Sequence, residues 1–176
     1  SVSLRYATLG LLAQQPGSGY DLLRRFERSM ANVWPATQSQ LYGELNKLAA
    51  AGLIEVTDVG ARGRKEYRVT DDGREALQRW MRDTGDDPPN RNALLLRVFL
   101  LGEIPAKQAR AHMVAVAEHA DAELARYQEL RDSITWGPDD AAFFSRAALE
   151  YGLRREALDA DWARWLIKEI DRRSSD

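Results

Sequence analysis

Cysteine is absent from the 176 residues, and histidine occurs only twice. Without cysteine the chain forms no disulfide, offers no thiolate nucleophile and cannot build a cysteine-ligated zinc site. The two histidines, His112 and His119, are separated by about 10 Å along a helix, which is too far for both to bind one metal ion. The sequence therefore predicts no metal site and no cofactor, and the lack of cysteine fits a cytoplasmic protein.

Long apolar runs and catalytic motifs are also missing. The longest apolar stretch, from Leu94 to Leu101, is interrupted by Arg97 and is far shorter than the ~20 residues that span a bilayer. We therefore expect no membrane partner, and no secretory signal opens the sequence. No Gly-x-Ser-x-Gly motif occurs, and no lysine follows Gly17-Ser18-Gly19 to hold a nucleotide phosphate. An enzyme is thus the disfavoured class, and no catalytic residue is predicted.

Hydrophobic residues make up 44% of the chain and charged residues 30%, which is enough for a packed core. The charge is divided unevenly, although the net value is only −2: residues 1–84 carry 12 Lys and Arg against 10 Asp and Glu, whereas residues 85–176 carry 13 against 17. Residues 85–91 are polar and broken by two prolines, which indicates a linker. The sequence predicts an N-terminal domain over 1–84 and a C-terminal domain over 92–176.

The N-terminal pattern begins with three helices. The first is predicted over Leu4–Gln14, and the second follows a cap within residues 18–21 and carries apolar side chains at helical spacing as far as Met30. The third begins at the capping box of residues 37–40 and ends near Gly52, a residue suited to a left-handed C-terminal cap.

The spacing changes from helical to alternating after the third helix. Ile54 and Val56 alternate with polar residues, and so do Tyr67 and Val69. Residues 60–65 between them contain two glycines and three cations, which predicts a β-hairpin with a basic tip. A further helix follows. Three helices, a hairpin and a helix are the element order of a winged helix-turn-helix, so we predict a mainly α fold with a small β-hairpin.

This element order gives two groups of side chains a reason to contact double-stranded DNA. The start of the third helix offers hydrogen-bonding side chains that can read base edges in the major groove. The hairpin tip can press cations against phosphates or enter the minor groove. Tyr42 lies one residue off the apolar stripe of its helix and is expected to be exposed. The predicted DNA-binding residues are Thr37, Gln38, Ser39, Gln40, Tyr42, Lys47, Arg62, Arg64 and Lys65.

Each of these features has a plainer interpretation when it is taken alone. A polar helix start is usually a cap, and a basic turn is usually a solvated turn. The prediction of DNA binding therefore depends on finding both in the order of a winged helix. A winged helix that serves only protein contacts stays an alternative, and a gel shift with promoter DNA separates the two.

The C-terminal half is predicted to be helical and dimeric. A short apolar helix over about 92–101 precedes a longer one that breaks near residues 136–138, and the last helix is predicted over about 139–172. Leu149, Leu153 and Ile167 lie on one side of this last helix. The opposite side carries the predicted dimerisation residues, which are Phe144, Tyr151, Leu158, Trp162 and Trp165.

Two apolar faces on one helix favour a second chain as partner. A helix at the surface of a monomer needs only one such face, so we expect one face to pack on its own domain and the other on a partner. A helix buried centrally in a monomer is the alternative, but about 90 residues offer little to cover it. Two DNA-reading helices related by a two-fold axis would bind an inverted-repeat operator.

Several segments resemble one known family. Residues 4–12 and 19–22 resemble its opening, and residues 34–35, 39–42 and 45–54 resemble its recognition helix. The wing and the start of the next helix are matched by Arg64, Tyr67, Thr70 and Gly73, and the C-terminal domain by residues 91–100 and 149–152 with Trp162. On these residues the chain resembles the PadR family of transcriptional regulators, in its longer subfamily with a helical C-terminal dimerisation domain.

The resemblance implies a homodimer that is usually a repressor and that, in some members, leaves DNA when a small phenolic or planar aromatic effector binds. Tyr6, Trp34 and Trp80 could line such a pocket, although core packing is the commoner role of such residues. Two positions depart from the family pattern. Gly43 stands where proline is common, and Pro105 stands where the family prefers a serine cap.

Overall fold

A computed structural model describes residues 2–175, and the chain divides into two compact units at the Pro88–Pro89 bond. The first unit contains α1 (Val2–Gln14), β1 (Gly17–Ser18), α2 (Gly19–Arg28), α3 (Gln38–Ala50), β2 (Ile54–Val59), β3 (Lys65–Val69) and α4 (Asp71–Arg82). The second contains α5 (Ala93–Phe99), α6 (Ala106–Ser133) and α7 (Asp140–Arg173). Short 3-10 turns lie at Met30–Asn32, Ala61–Gly63 and Leu101–Glu103. The predicted fold class, mainly helical with a small sheet, is confirmed.

The helices of the first unit begin and end at local capping signals. Hydrogen bonds run in both directions between residues 18 and 21 and between residues 37 and 40, as a capping box requires. Gly52 adopts the left-handed conformation expected past the end of α3, with φ of 71°. The second helix is shorter than predicted, because Ser29 leaves helical geometry and its hydroxyl donates to the Arg25 carbonyl. Met30 therefore lies in a 3-10 turn beyond the end of α2.

The sheet is antiparallel and has three strands in the order β1-β3-β2. The predicted hairpin is present: Ile54 lies opposite Val69, and Val56 lies opposite Tyr67. The third strand, β1, was not predicted because two residues are too few to show an alternating pattern. It places Ser18 opposite Glu66 and so connects the loop before α2 directly to the wing strands.

The first unit has a core of large side chains that are almost fully buried, each at most 2% exposed: Leu9, Leu12, Leu22, Phe26, Leu41, Leu45, Leu48 and Ile54. Helix α4 closes this core at the end of α3, where the Thr70 amide donates to the Leu53 carbonyl at 3.1 Å. Gly73 is needed there, since a Cβ on it would lie 2.0 Å from the same Leu53 oxygen.

The second unit is built on the pairing of its two long helices. Helices α6 and α7 run antiparallel, as shown by the Arg110–Asp171 ion pair at 2.7 Å and the Asp121–Arg164 pair nearer their other ends. Between them lies a small core of Met113, Ala117 and Ala163. Helix α6 begins directly after Pro105 and has no side-chain cap.

Helix α7 has a buried face and an exposed apolar face. Leu153, Ala160 and Ala163 are buried on the inner side. Four side chains spaced seven residues apart form the outer stripe and are 54–68% exposed: Phe144, Tyr151, Leu158 and Trp165. Trp162 was predicted to share this stripe but is half-buried against the core of its own unit, because it packs with Met113 and Ala163. The stripe is thus narrower than predicted.

Candidate nucleic-acid interface

The first turn of α3 separates capping side chains from free ones. The Thr37 amide donates to Gln40 Oε1 at 2.9 Å, and the Gln40 amide donates to Thr37 Oγ1 at 3.2 Å, so these two side chains are occupied by the cap. Gln38 and Ser39 are exposed, and neither side chain makes a hydrogen bond within residues 2–175. Both side chains are therefore fully open to an outside partner, whereas Thr37 and Gln40 keep only their donor groups, the hydroxyl hydrogen and the Nε2 amide, outside the cap.

Tyr42 is half-buried, which corrects the expectation that it is exposed. Its ring lies against Gly19 at the start of α2, where an added Cβ would be only 2.6 Å from Tyr42 Cε1. The missing side chain of Gly19 makes room for the ring, and this contact between two helices is invisible in the spacing of α3. The pKa of the Tyr67 phenol is raised by burial and by the nearby Tyr42.

Lys47 lies on the same helix with a side chain that is 71% exposed. Its Nζ is 3.6 Å from Oε1 of Glu44, a buried carboxylate one turn earlier. The lysine end of this pair is exposed, so it remains accessible to an anion outside the fold.

Tyr20 and Arg24 form an exposed pair on α2 that the sequence analysis missed. Arg24 Nη1 donates to the Tyr20 hydroxyl at 2.9 Å, and its guanidinium lies 5.7 Å from the centre of the ring. In helix-turn-helix proteins the helix before the recognition helix crosses the DNA backbone. The signal for this pair in the sequence is a tyrosine and an arginine four residues apart in a short helix.

The wing tip presents two free cations. Arg62 adopts a left-handed conformation with φ of 60°, which costs a non-glycine residue roughly 1 kcal/mol. Its side chain is exposed and makes no ion pair within the described residues, and Lys65 is exposed in the same way at the start of β3. The tight turn, which continues through Gly63 with φ of 75°, holds both cations at the end of the hairpin.

Arg64 differs from the other two wing cations because its charge is already engaged. Its Nη2 donates to Ser18 Oγ and to Asp21 Oδ2, both at 3.2 Å, and its Nε lies 3.5 Å from Glu66 Oε1. Of the three cations predicted to contact DNA from the wing, it is the one with partners on another element of the fold.

Neither a metal site nor a membrane-spanning helix is formed by residues 2–175. No three His, Asp or Glu side chains among them are arranged to hold a metal ion. No helix in this range combines the length and apolar character needed to cross a bilayer.

Two known families match the chain, one over each unit. Residues 8–79 match the Transcriptional regulator PadR-like family, and residues 90–171 match the family described as Virulence activator alpha C-term. The two matched ranges lie on either side of the Pro88–Pro89 division.

Two bacterial proteins are similar over nearly the whole chain. The Probable transcriptional regulator Rv1176c of Mycobacterium tuberculosis is 30% identical, over 92% of this chain and 94% of its own. The Negative transcriptional regulator PadR of Bacillus subtilis is 26% identical, over 96% and 98%. Its crystal structure in complex with operator DNA has a TM-score of 0.79 at 27% identity, over 97% and 98% of the two chains. The structure in complex with p-coumaric acid has a TM-score of 0.82 at 26% identity, over 96% and 98%.

Proposed function

Since this chain belongs to the PadR-like family of transcriptional regulators, we propose that it is a homodimeric repressor that binds an inverted-repeat operator and is released by a small aromatic effector. The DNA-binding part of the proposal rests on two sets of exposed side chains that lie on the same compact unit. Gln38 and Ser39 are open at the start of α3, and Arg62 and Lys65 are open at the wing tip.

The proposed contacts divide by chemistry. Gln38 and Ser39 read base edges, since neutral amide and hydroxyl groups discriminate bases in the major groove. Lys47, Arg62 and Lys65 neutralise phosphates, which fixes the position of the unit but carries no sequence information. Thr37 and Gln40 cap the first turn of α3, which carries Gln38 and Ser39. The Tyr42 hydroxyl is proposed as a further contact with DNA. The similarity to a protein solved on operator DNA supports this arrangement.

The homodimer is proposed from the outer stripe of α7. Four large apolar side chains at seven-residue spacing are exposed on a unit whose own core is small. A stripe of this kind is self-complementary about a two-fold axis. Two copies of α3 related by that axis would meet two half-sites in opposite orientations, which is the basis for proposing an inverted repeat. The repressor sign is proposed from the similarity to a protein named as a negative regulator.

Footprinting on the DNA upstream of its own gene tests the proposal. We expect two protected half-sites in inverted orientation whose centres are about one helical turn apart, or a multiple of it. Arg62→Ala with Lys65→Ala should lower the slope of log affinity against log salt by about 4, because two phosphate contacts are lost from each of the two protomers. Lys168→Ala with Arg173→Ala on α7 is the matched control and should leave the slope unchanged. No specific protection at moderate salt would instead favour a winged helix that serves only protein contacts.

The effector is proposed to bind in a pocket of about 520 Å³ within the first unit. The rings of Tyr6 and Trp80 stack there with centroids 4.9 Å apart and planes inclined by 10°, and Trp34 lines the same space. Pockets of this size with aromatic walls suit planar organic ligands. The further charged lining residues are three carboxylates, Asp83, Asp86 and Asp87, and one cation, Arg79, whose guanidinium is 2.9 Å from the Glu75 carboxylate. The carboxylates outnumber the cation and would repel an anionic ligand, so we propose a neutral or cationic aromatic molecule.

Tryptophan fluorescence tests this pocket without DNA. A neutral phenol such as 4-ethylphenol should quench the wild type at lower concentration than p-coumaric acid, whose carboxylate would face the three aspartates. Trp80→Ala should abolish the response, whereas Trp136→Ala in the second unit should leave it in place. Stronger binding of p-coumaric acid than of the neutral phenol would contradict the proposed ligand class.

A further inference from the structure

We propose that Arg64 is a positioning residue of the wing: it connects the wing tip to the N-terminal cap of α2 and does not itself hold a phosphate. The inference rests on the proposed DNA binding and concerns how the wing is aimed. It reassigns one of the residues predicted to contact DNA, and it gives the wing a fixed orientation before DNA arrives.

The side chain of Arg64 enters a closed set of hydrogen bonds at the start of α2. Asp21 Oδ2 accepts from the Ser18 hydroxyl at 2.8 Å, from the Ser18 amide at 3.2 Å and from Arg64 Nη2 at 3.2 Å. The Ser18 hydroxyl oxygen accepts from the Asp21 amide at 3.1 Å and from the same Arg64 nitrogen at 3.2 Å. Ser18 itself is buried. The guanidinium thus completes a capping box that is already formed by local residues.

The main chain of Arg64 closes the tip turn at the same time. Its carbonyl accepts from the Gly60 amide at 2.6 Å, and its own amide donates to the Ala61 carbonyl at 3.3 Å. One residue therefore fixes the shape of the tip through its backbone and the place of the tip against α2 through its side chain. The strand β1 adds a second link nearby, since Ser18 pairs with Glu66 of β3.

The charges around Arg64 also disfavour a phosphate. Asp21 and Glu66 both lie within ion-pair distance of its guanidinium, so an approaching phosphate meets two carboxylates around one cation. The hydrogen bonds from Ser18, and secondarily Arg64, hold the pKa of the Asp21 carboxyl below its usual value, so the carboxylate stays ionised at neutral pH. Arg25, the other cation near Asp21, donates instead to the carbonyls of Leu11 and Gln15.

Two substitutions separate positioning from phosphate binding by the sign of their effect. Asp21→Asn removes a negative charge beside the DNA face, so electrostatics alone would tighten operator binding. If Asp21 holds Arg64 in place, the same change should weaken binding, by about threefold or more. Arg64→Lys keeps the positive charge but cannot reach Ser18, Asp21 and Glu66 at once, so it should weaken binding about as much as Arg64→Ala.

The salt dependence provides the control within the wing. Arg62→Ala should lower the slope of log affinity against log salt by about 2, because one phosphate contact is lost from each protomer of the proposed dimer. Arg64→Ala should weaken binding about tenfold with the slope unchanged. A slope lowered by Arg64→Ala and restored by Arg64→Lys, or tighter binding by Asp21→Asn, would overturn the proposal.

Hydrogen exchange of the protein without DNA decides the same question independently. Amides of residues 58–66 should exchange faster in Arg64→Ala and Asp21→Asn than in the wild type, and Arg62→Ala should not change them. Equal exchange in all four proteins would overturn the positioning role even if operator binding is confirmed. Failure of the wild type to bind any operator would contradict the proposed function, while the exchange data would still show whether Arg64 holds the wing.

Discussion

The two units of this chain bury their apolar side chains to very different extents. The first unit encloses eight large side chains that are at most 2% exposed, contributed by α1, α2, α3 and β2. The second buries mainly Met113 and several alanines between α6 and α7. It leaves much larger residues outside, among them Phe99, which is 86% exposed, and Tyr151, which is 68% exposed.

This difference indicates which unit can bury its apolar side chains without a partner chain. A unit with a closed leucine core owes its stability to contacts within one chain, since each large side chain buried contributes about 1.5–3 kcal/mol. A pair of helices with alanines inside and aromatic residues outside gains much less from its own packing. Large exposed apolar patches mark interaction surfaces. In the proposed dimer, a partner chain would therefore cover the exposed apolar side chains of the second unit.

The largest effect is expected from removing a side chain of the closed core. Phe26→Ala should lower the free energy of unfolding of the first unit by about 3–5 kcal/mol, because it leaves a cavity among buried leucines. Hydrogen exchange of peptides from α3 and α7, measured across a urea titration, reports the unfolding of the first and second units separately. Val33→Ala, at a residue 70% exposed, is the control and should change stability by less than about 0.5 kcal/mol. A Phe26→Ala effect below that of the control would contradict the closed core.

The second effect concerns the outer stripe of α7. Tyr151→Asp with Leu158→Asp places two charges in the proposed interface and should raise the dimer dissociation constant by about 100-fold or more, since buried unpaired charges are strongly unfavourable. Sedimentation over a concentration series measures this constant. The first unit should keep its stability, because none of its core residues is touched.

The matched control for the stripe places charges elsewhere on the same helix. Arg146→Asp with Lys168→Asp introduces a larger change of charge at exposed positions off the stripe and should leave the dimer assembled. A wild type that stays monomeric at micromolar concentration would refute the dimer, and equal weakening by both double variants would show that net charge decides assembly and the stripe does not.

Local signals in the sequence were enough to predict most of the first unit. The capping box of Thr37 and Gln40 and the left-handed Gly52 act over a few residues, and the structure contains both. The alternation around Val56 predicted the strand correctly, although Val56 itself is 41% exposed and only Ile54 of that strand is buried. The apolar periodicity of α7 likewise predicted a helix with two faces. Patterns of this kind depend only on the geometry of one element, so no knowledge of neighbouring elements was required.

Contacts between distant parts of the chain could not be predicted in this way. Tyr42 is half-buried because Gly19 on another helix leaves space for its ring. The hydrogen bond between Arg64 and Ser18 joins residues 46 positions apart, so the wing motif alone could not show that its charge is engaged. Trp162 falls within the angular range of the stripe, yet packing against Met113 draws it toward the core.

The smallest effect is expected from a substitution that stabilises the first unit, Gly43→Ala. Gly43 lies inside α3, where a Cβ would meet no atom within 4 Å outside the local helix backbone. Replacing glycine by alanine in a helix interior is worth roughly 0.5–1 kcal/mol, so Gly43→Ala should raise the unfolding temperature of the first unit by a few degrees. The dimer dissociation constant should not change, because the stability of α3 is independent of the stripe on α7.

Gly73→Ala is the control, because its Cβ would lie 2.0 Å from the Leu53 oxygen. This substitution should lower the stability of the first unit, which would show that the gain at Gly43 depends on open space. A Gly43→Ala protein that is less stable than the wild type would mean that α3 needs the flexibility of glycine at this position.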